Sequence, residues 1–253
     1  MSTKLSDFSN FPPICNFQRN IKKAHYITKI YFLSQFFNEA ESRNLFFRQF
    51  LIIIARFLSG GKMKIILASG SPRRFELLKD AGFEPVVVKP CCEEKIQQGL
   101  KPAEIVESLA EQKGKSVINS GKYNDIPVIS ADTVVALGNE VIGKPKDRTD
   151  AVRILSELSG KTHQVCTGVA IFYQGKTSVF SVSTDVVFKT LSANEIAFYC
   201  DTDEPYDKAG AYAIQGKAAF MVRAINGSHS NVIGLPVCEV IENLEKLGFK
   251  HNS

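Results

Sequence analysis

Residues 65 to 74 constrain this chain more than any other stretch: Ile-Ile-Leu-Ala-Ser-Gly-Ser-Pro-Arg-Arg, an apolar run that breaks into a turn of small residues and ends on two adjacent arginines. Ile65 to Ala68 read as a buried strand, because a short continuous apolar run bounded by Ser, Gly and Pro has the length and punctuation of one. Phe75, Leu77 and Leu78, with Glu76 and Lys79 between them, read as a helix that stops at Gly82. A strand, a tight turn and a helix start bring free backbone N–H groups and the helix's positive end to one spot. Arg73 and Arg74 add planar donor forks whose geometry suits phosphate oxygens. The plainer alternative is a strand-to-helix connection with two solvated arginines.

Charge divides the chain. Residues 1–62 hold nine basic and three acidic side chains and ten of the 18 phenylalanines, whereas the remainder holds 22 basic and 23 acidic ones. The first part reads as a basic, Phe-rich extension of unassigned role or as sequence outside the native protein, and residues 63–253 as the working domain. The longest apolar run of the extension, Phe50 to Ala55, is flanked by Arg48 and Arg56 and is far short of the ~20 residues that a membrane span needs. No transmembrane segment is expected. The near-neutral body argues against a nucleic-acid surface there. The six cysteines (Cys15, Cys91, Cys92, Cys166, Cys200, Cys238) show no Cys-x-x-Cys spacing and no disulfide framework, so they read as reduced thiols in a reducing, cytoplasmic compartment. His25, His163, His229 and His251 are scattered without a zinc-ligand rhythm.

Within the body, a second strand is expected near Pro85 to Val88, followed by Glu93 and Glu94 just beyond its end. There a carboxylate can reach a metal or a positive side chain, or simply be solvated. A helix opening at Pro102 and running to about Asn119 has Ile105, Val106, Leu109 and Ala110 on its apolar face, with Lys113 one turn past Leu109. The strand Val128 to Ala131 ends in Asp132-Thr133, and a carboxylate interrupting an apolar run is costly if buried without a partner. A divalent cation, an attacking water or a Lys/Arg would each supply that partner, which makes Asp132 the strongest catalytic candidate. Gly138-Asn139 turns the chain back as a hairpin. Pro145 then stiffens the loop that carries Lys144.

A helix over about 150–158 precedes two long strands, about His163 to Tyr173 and Ser178 to Lys189. Gly168 inside the first permits a bulge or close backbone approach. Ser192-Ala193-Asn194-Glu195 is a capping box that opens a helix to about Cys200. A strand is expected over Ala219 to Ile225, and a last helix from about Pro236 to Leu247. Gln215 offers both a donor and an acceptor to a base edge, or is an ordinary turn glutamine. There is no Gly-x-x-x-x-Gly-Lys-Ser/Thr loop and no Gly-x-Gly-x-x-Gly turn. Paired arginines, two lysines, an Asp at a strand end and a Glu pair suit a polyphosphate substrate accompanied by a divalent metal.

Several stretches in register resemble the Maf family of nucleoside triphosphate pyrophosphatases. They are Ala68 to Arg74 with Glu76-Leu77-Leu78, Ala131-Asp132-Thr133-Val134, Gly143-Lys144-Pro145, Lys208 to Tyr212 with Ile214-Gln215-Gly216, and Asn231 to Pro236. The resemblance covers about residues 63–249. It implies an elongated mixed α/β sheet with flanking helices and two lobes around a deep nucleotide cleft, in a homodimer. It also implies hydrolysis of a nucleoside triphosphate to the monophosphate and pyrophosphate with Mg²⁺ or Mn²⁺.

Carried over by position, Ser69, Arg73, Arg74, Lys113 and Lys144 would contact the phosphates. Asp132 and Glu94 would bind the metal or activate water with Lys144 beside them, and Thr133 and Gln215 would help select the base. Thr133 directly after Asp132 resembles the dTTP/UTP branch, whereas the 7-methyl-GTP branch tends to carry Gln there. Cys91-Cys92 and His229 depart from the family's usual residues. The alternatives implied are a 7-methyl-GTP pyrophosphatase and, since the family name refers to arrested septum formation, a non-catalytic regulator of cell division.

Overall fold

The computed structural model describes residues 63–249, except 98 and 124. The readings of residues 1–62 lie outside them. Thirteen helices and strands follow in order: β1 (Met63–Ala68), α1 (Pro72–Asp80), β2 (Phe83–Val87), α2 (Pro102–Ile118), β3 (Val128–Leu137), β4 (Glu140–Ile142), α3 (Arg148–Leu158), β5 (Thr162–Tyr173), β6 (Lys176–Phe188), α4 (Ala193–Cys200), β7 (Val222–Asn226) and, framing the C-terminal end, α5 (His229–Ile233) with α6 (Val237–Lys246). Three short 3-10 turns, Pro205–Asp207, Ala209–Ala211 and Lys217–Met221, lie between α4 and β7. One seven-stranded sheet has the order β2-β1-β3-β5-β6-β7, with β4 paired to β3 off this path. It is mixed, because β1 runs parallel to β2 and β3 while β3, β5, β6 and β7 pair antiparallel.

Strand alternation sorts the core into layers. Ile65 and Leu67 of β1 pack with Leu78 of α1 and with Val240 and Leu244 of α6. Ile66 and Ala68, pointing the other way, pack with Ala110 and Val117 of α2. An uninterrupted apolar strand is what a position covered on both faces requires. A third cluster joins Val135, Val165, Val186 and Phe188 from the sheet to α3 and α4 and to Tyr212 and Met221.

The handover between clusters positions the cleft. On one face of β3, Ile129 and Ala131 belong to the core under α1 and α6, and Val135 belongs to the core under α3 and α4. Thr133 falls between them. β5 repeats the arrangement, with Val169 and Ile171 in one core, Val165 in the other and Thr167 between, paired in register with Thr133.

Three local readings change. β2 begins at Phe83, two residues before the expected Pro85, which is tolerated inside it because β2 is the sheet's outer strand and part of its backbone needs no partner. Residues 219–221, expected to be strand, are instead helical. Ala218 and Met221 are both buried, and a spacing of three suits a 3-10 turn. The segment after Gly227 winds into α5, capped by the Ser228 side chain, which accepts the Asn231 N–H.

Candidate active site

A cleft of about 480 Å³ opens at the handover on β3 and β5, and its walls include five cations, Arg73, Arg74, Lys113, Lys144 and Lys208, against two carboxylates, Asp132 and Asp207. Such a surplus of positive charge in a concave surface favours a polyanion. The first turn of α1 adds to it. Gly70, Ser71 and Pro72 line the cleft, Ser71 is the N-cap, Pro72 is at the first helical position, and no acidic residue occupies the first turn. The positive end of the helix therefore faces the cleft without an internal counter-charge.

The two arginines diverge. Arg74 donates from Nε to the Gly234 carbonyl at 2.8 Å, from Nη1 to the Ala131 carbonyl at 2.7 Å and to Ser69 Oγ at 3.1 Å, and from Nη2 to Thr133 Oγ1 at 3.0 Å. It ties α1, β3 and the end of α5 into one wall. Burial holds its guanidinium below the ordinary arginine pKa and Arg73 adds to the effect, while Asp132 works against it. Ser69 is buried and its hydroxyl accepts both Arg74 and the Ser71 N–H, so it shapes the turn from behind the lining. Arg73 lines the cleft and also borders an annex of about 220 Å³ with Glu76, Asp80 and Gln215.

Asp132 is brought to Lys113 of α2, with which it forms an ion pair, and Lys113 also meets Glu94 Oε1 at 3.1 Å. One ammonium thus sits between two carboxylates, satisfying the partner that a carboxylate in an apolar strand needs. Among the described residues no group of three or more His, Cys, Asp or Glu is placed to hold a metal. A Mg²⁺-like ion is commonly held by one or two carboxylates with water and substrate phosphates completing the shell, and Asp132 with Glu94 fits that donor set. Asp132 lines the cleft, and Glu94 reaches it through Lys113.

Thr133 Oγ1 is engaged by Arg74 and by Thr167 Oγ1 at 3.0 Å, so the residue presents a fixed hydroxyl in the wall. Lys144 lines the cleft from an exposed loop, which is anchored where the Gly143 carbonyl accepts the Gly210 N–H at 3.0 Å. Gln215 lines the rim, sharing the annex with Arg73 and Glu76, and is exposed.

Three residues had no role in the sequence reading. Lys208 lines the cleft, paired with Asp207 and donating to the Glu204 carbonyl at 3.1 Å. Burial works to raise the Asp207 carboxyl, and the hydrogen bond and charge of Lys208, with Arg73, outweigh it and leave it below its ordinary value. Tyr212 lines the cleft with its hydroxyl turned inward to His163 Nε2 at 2.8 Å, and burial raises its pKa. Lys208 and Tyr212 lie inside a recognised motif, which was the available signal.

The sequence profile described as Maf-like protein matches residues 64–247. A Geotalea uraniireducens protein named dTTP/UTP pyrophosphatase is 47% identical over 191 residues, 74% of this chain and 96% of that protein. A Bacillus pumilus protein of the same name is 45% identical over 185 residues, 73% of this chain and 97% of that one. Among solved structures, the Staphylococcus aureus Ham1 protein aligns at 16% identity with a TM-score of 0.37, over 49% of this chain and 71% of that one, a likeness too distant to carry weight. Among the described residues no helix is long and apolar enough to cross a membrane.

Proposed function

The chain belongs to the Maf-like protein family, and from that premise we propose that it is a hydrolase converting dTTP and UTP to the monophosphate and pyrophosphate. The observation that carries the reading is the convergence of five cations and Asp132 on one cleft. Arg73, Lys144, Lys208 and the open end of α1 neutralise the triphosphate, and cations held by the fold do so without reorganising as charge develops. Arg74 fixes the floor beneath them. Asp132, held by Lys113, orients a water for in-line attack on phosphorus and accepts its proton, while pyrophosphate departs with the bonding electrons. Asp132 and Glu94 would hold Mg²⁺ or Mn²⁺, which supplies neutralisation of phosphate charge. Gln215 reads the base edge, and Thr133 fixes the wall beside it. The enzyme acts in the cytoplasm, where its nucleotides are found, as the homodimer the resemblance implies.

Pyrophosphate release by the full chain across dTTP, UTP, CTP, GTP, ATP and 7-methyl-GTP, with and without each metal, tests this. Metal-dependent turnover of dTTP and UTP is expected. Asp132→Asn should lower kcat by about 100-fold or more, with turnover affected more than KM, since it removes charge where the water and the metal act. Near-normal turnover by that variant would refute the mechanism, and preference for 7-methyl-GTP would refute the substrate.

A further inference from the structure

Gln215, the exposed side chain on the rim, sits on a turn whose backbone is gripped from outside the cleft. Glu204 lies between α4 and the 3-10 turn at Pro205. Its Oε2 accepts the Lys217 N–H at 3.0 Å, and its Oε1 accepts the Ala218 N–H at 3.3 Å and the Tyr199 hydroxyl at 3.0 Å. Tyr199 is fully buried, so the carboxylate is pinned to the core at one end and to the turn at the other. The approach is close enough that a Cβ on Gly216 would stand 2.5 Å from Glu204 Oε2, and Gly216 has φ +139°. Only glycine meets both conditions. The Glu204 backbone carbonyl also receives Lys208 Nζ at 3.1 Å. Both residues it steadies, Gln215 and Lys208, line the cleft, whereas Glu204 and Tyr199 do not.

We propose that Glu204 is a positioning residue for base recognition: its carboxylate clamps the Gly216–Ala218 turn that presents Gln215, and its carbonyl aims Lys208. The proposal rests on the assignment of Gln215 to the base. A carboxylate suits the task because three donors converge on two oxygens that carry no hydrogen of their own. A glutamine of the same shape sets an N–H₂ against one of those donors and leaves it unpaired.

The test compares Glu204→Gln, Tyr199→Phe, Gln215→Ala and the Glu204→Gln/Gln215→Ala double variant in the full chain. It measures kcat and KM for UTP and GTP, calorimetric affinity for the non-hydrolysable α,β-imido analogue of UTP, and melting temperature. Glu204→Gln should raise KM for UTP and weaken analogue binding by about tenfold, with kcat changed by less than about threefold and the preference for UTP over GTP reduced. In the Gln215→Ala background the same change should add less than about twofold, because the side chain being aimed is gone. Tyr199→Phe, which removes one of the three donors, should move selectivity the same way by a smaller factor.

Unchanged KM and base preference in Glu204→Gln, whatever its melting temperature, or full additivity with Gln215→Ala, overturns the proposal. If Glu204→Gln does not fold, unchanged base preference in Tyr199→Phe overturns it. The wild-type panel tests the pyrophosphatase reading separately, since analogue binding reports on the clamp without turnover.

Discussion

Arg74 has four of its five N–H donors committed to fixed acceptors, two of them backbone carbonyls on separate elements, Ala131 on β3 and Gly234 after α5. Its neighbour Arg73 faces the cleft and the annex beside it. Removing Arg74 therefore strips partners from carbonyls that water reaches poorly, and Arg74→Ala should lower unfolding free energy by about 2–4 kcal/mol. Arg73→Ala should instead raise KM by about tenfold and leave stability within about 0.5 kcal/mol. Urea denaturation and steady-state kinetics on the two variants check the contrast, and equal loss of stability in both would refute it. The pair was legible in sequence as a phosphate-directed motif, but the division of tasks was not, because it depends on acceptors as far as 160 positions along the chain. Asp132 was legible because a carboxylate inside an apolar strand must have a partner, and that partner proved to be Lys113. Glu204 gave no signal, since its partners are mostly backbone N–H groups, which every sequence contains.

At the scale of elements, the position of Lys113 depends on how closely α2 lies on the sheet. A Cβ at Gly168 of β5 would stand 2.2 Å from the Val106 carbonyl carbon, and one at Gly114 of α2 would stand 2.2 Å from the Phe172 ring. Helix backbone and strand backbone are thus in contact, one glycine from each side making room. The clash at Gly168 is with backbone, which cannot rotate away, so Gly168→Ala must push α2 outward. A loss of about 3 kcal/mol or more is expected, with a fall in kcat as the Lys113–Asp132 pair separates. Chemical denaturation with parallel kinetics tests it, and a variant of normal stability would show that the helix shifts without cost. Gly168 read in sequence as either a bulge or a close backbone approach, and the structure shows the approach; the apolar face of α2 and the β-branched runs of β5 and β6 were also readable along the chain. The order of strands was not. β3 runs parallel to β1, which it reaches by a crossover through α2, and antiparallel to β5, and those pairings join residues far apart in the chain rather than following from any local signal.

Stability of the described body as a whole carries a pH dependence set at one buried ring. His163 is 1% exposed, edge-on to Phe188 and Tyr212, with Nε2 hydrogen-bonded to the Tyr212 hydroxyl and no partner for Nδ1 among the described residues. Burial lowers its pKa to about 4, so the folded protein holds a neutral imidazole where the unfolded chain binds a proton near pH 6.5. The unfolded state therefore binds more protons between these two values, and stability rises with pH across that window. The contribution is fully present above about pH 6.5 and is lost as pH falls toward 4, amounting to about 2 kcal/mol between pH 7 and pH 5. Carboxylates add their own loss mainly below about pH 5, outside most of the interval. Urea midpoints at pH 5, 6, 7 and 8 should fall on the acid side in the wild type. In His163→Gln, which cannot titrate, the slope between pH 5 and 7 should flatten even if overall stability drops. An unchanged slope in that variant would assign the acid sensitivity elsewhere and leave His163 to act on the cleft only through the orientation of Tyr212.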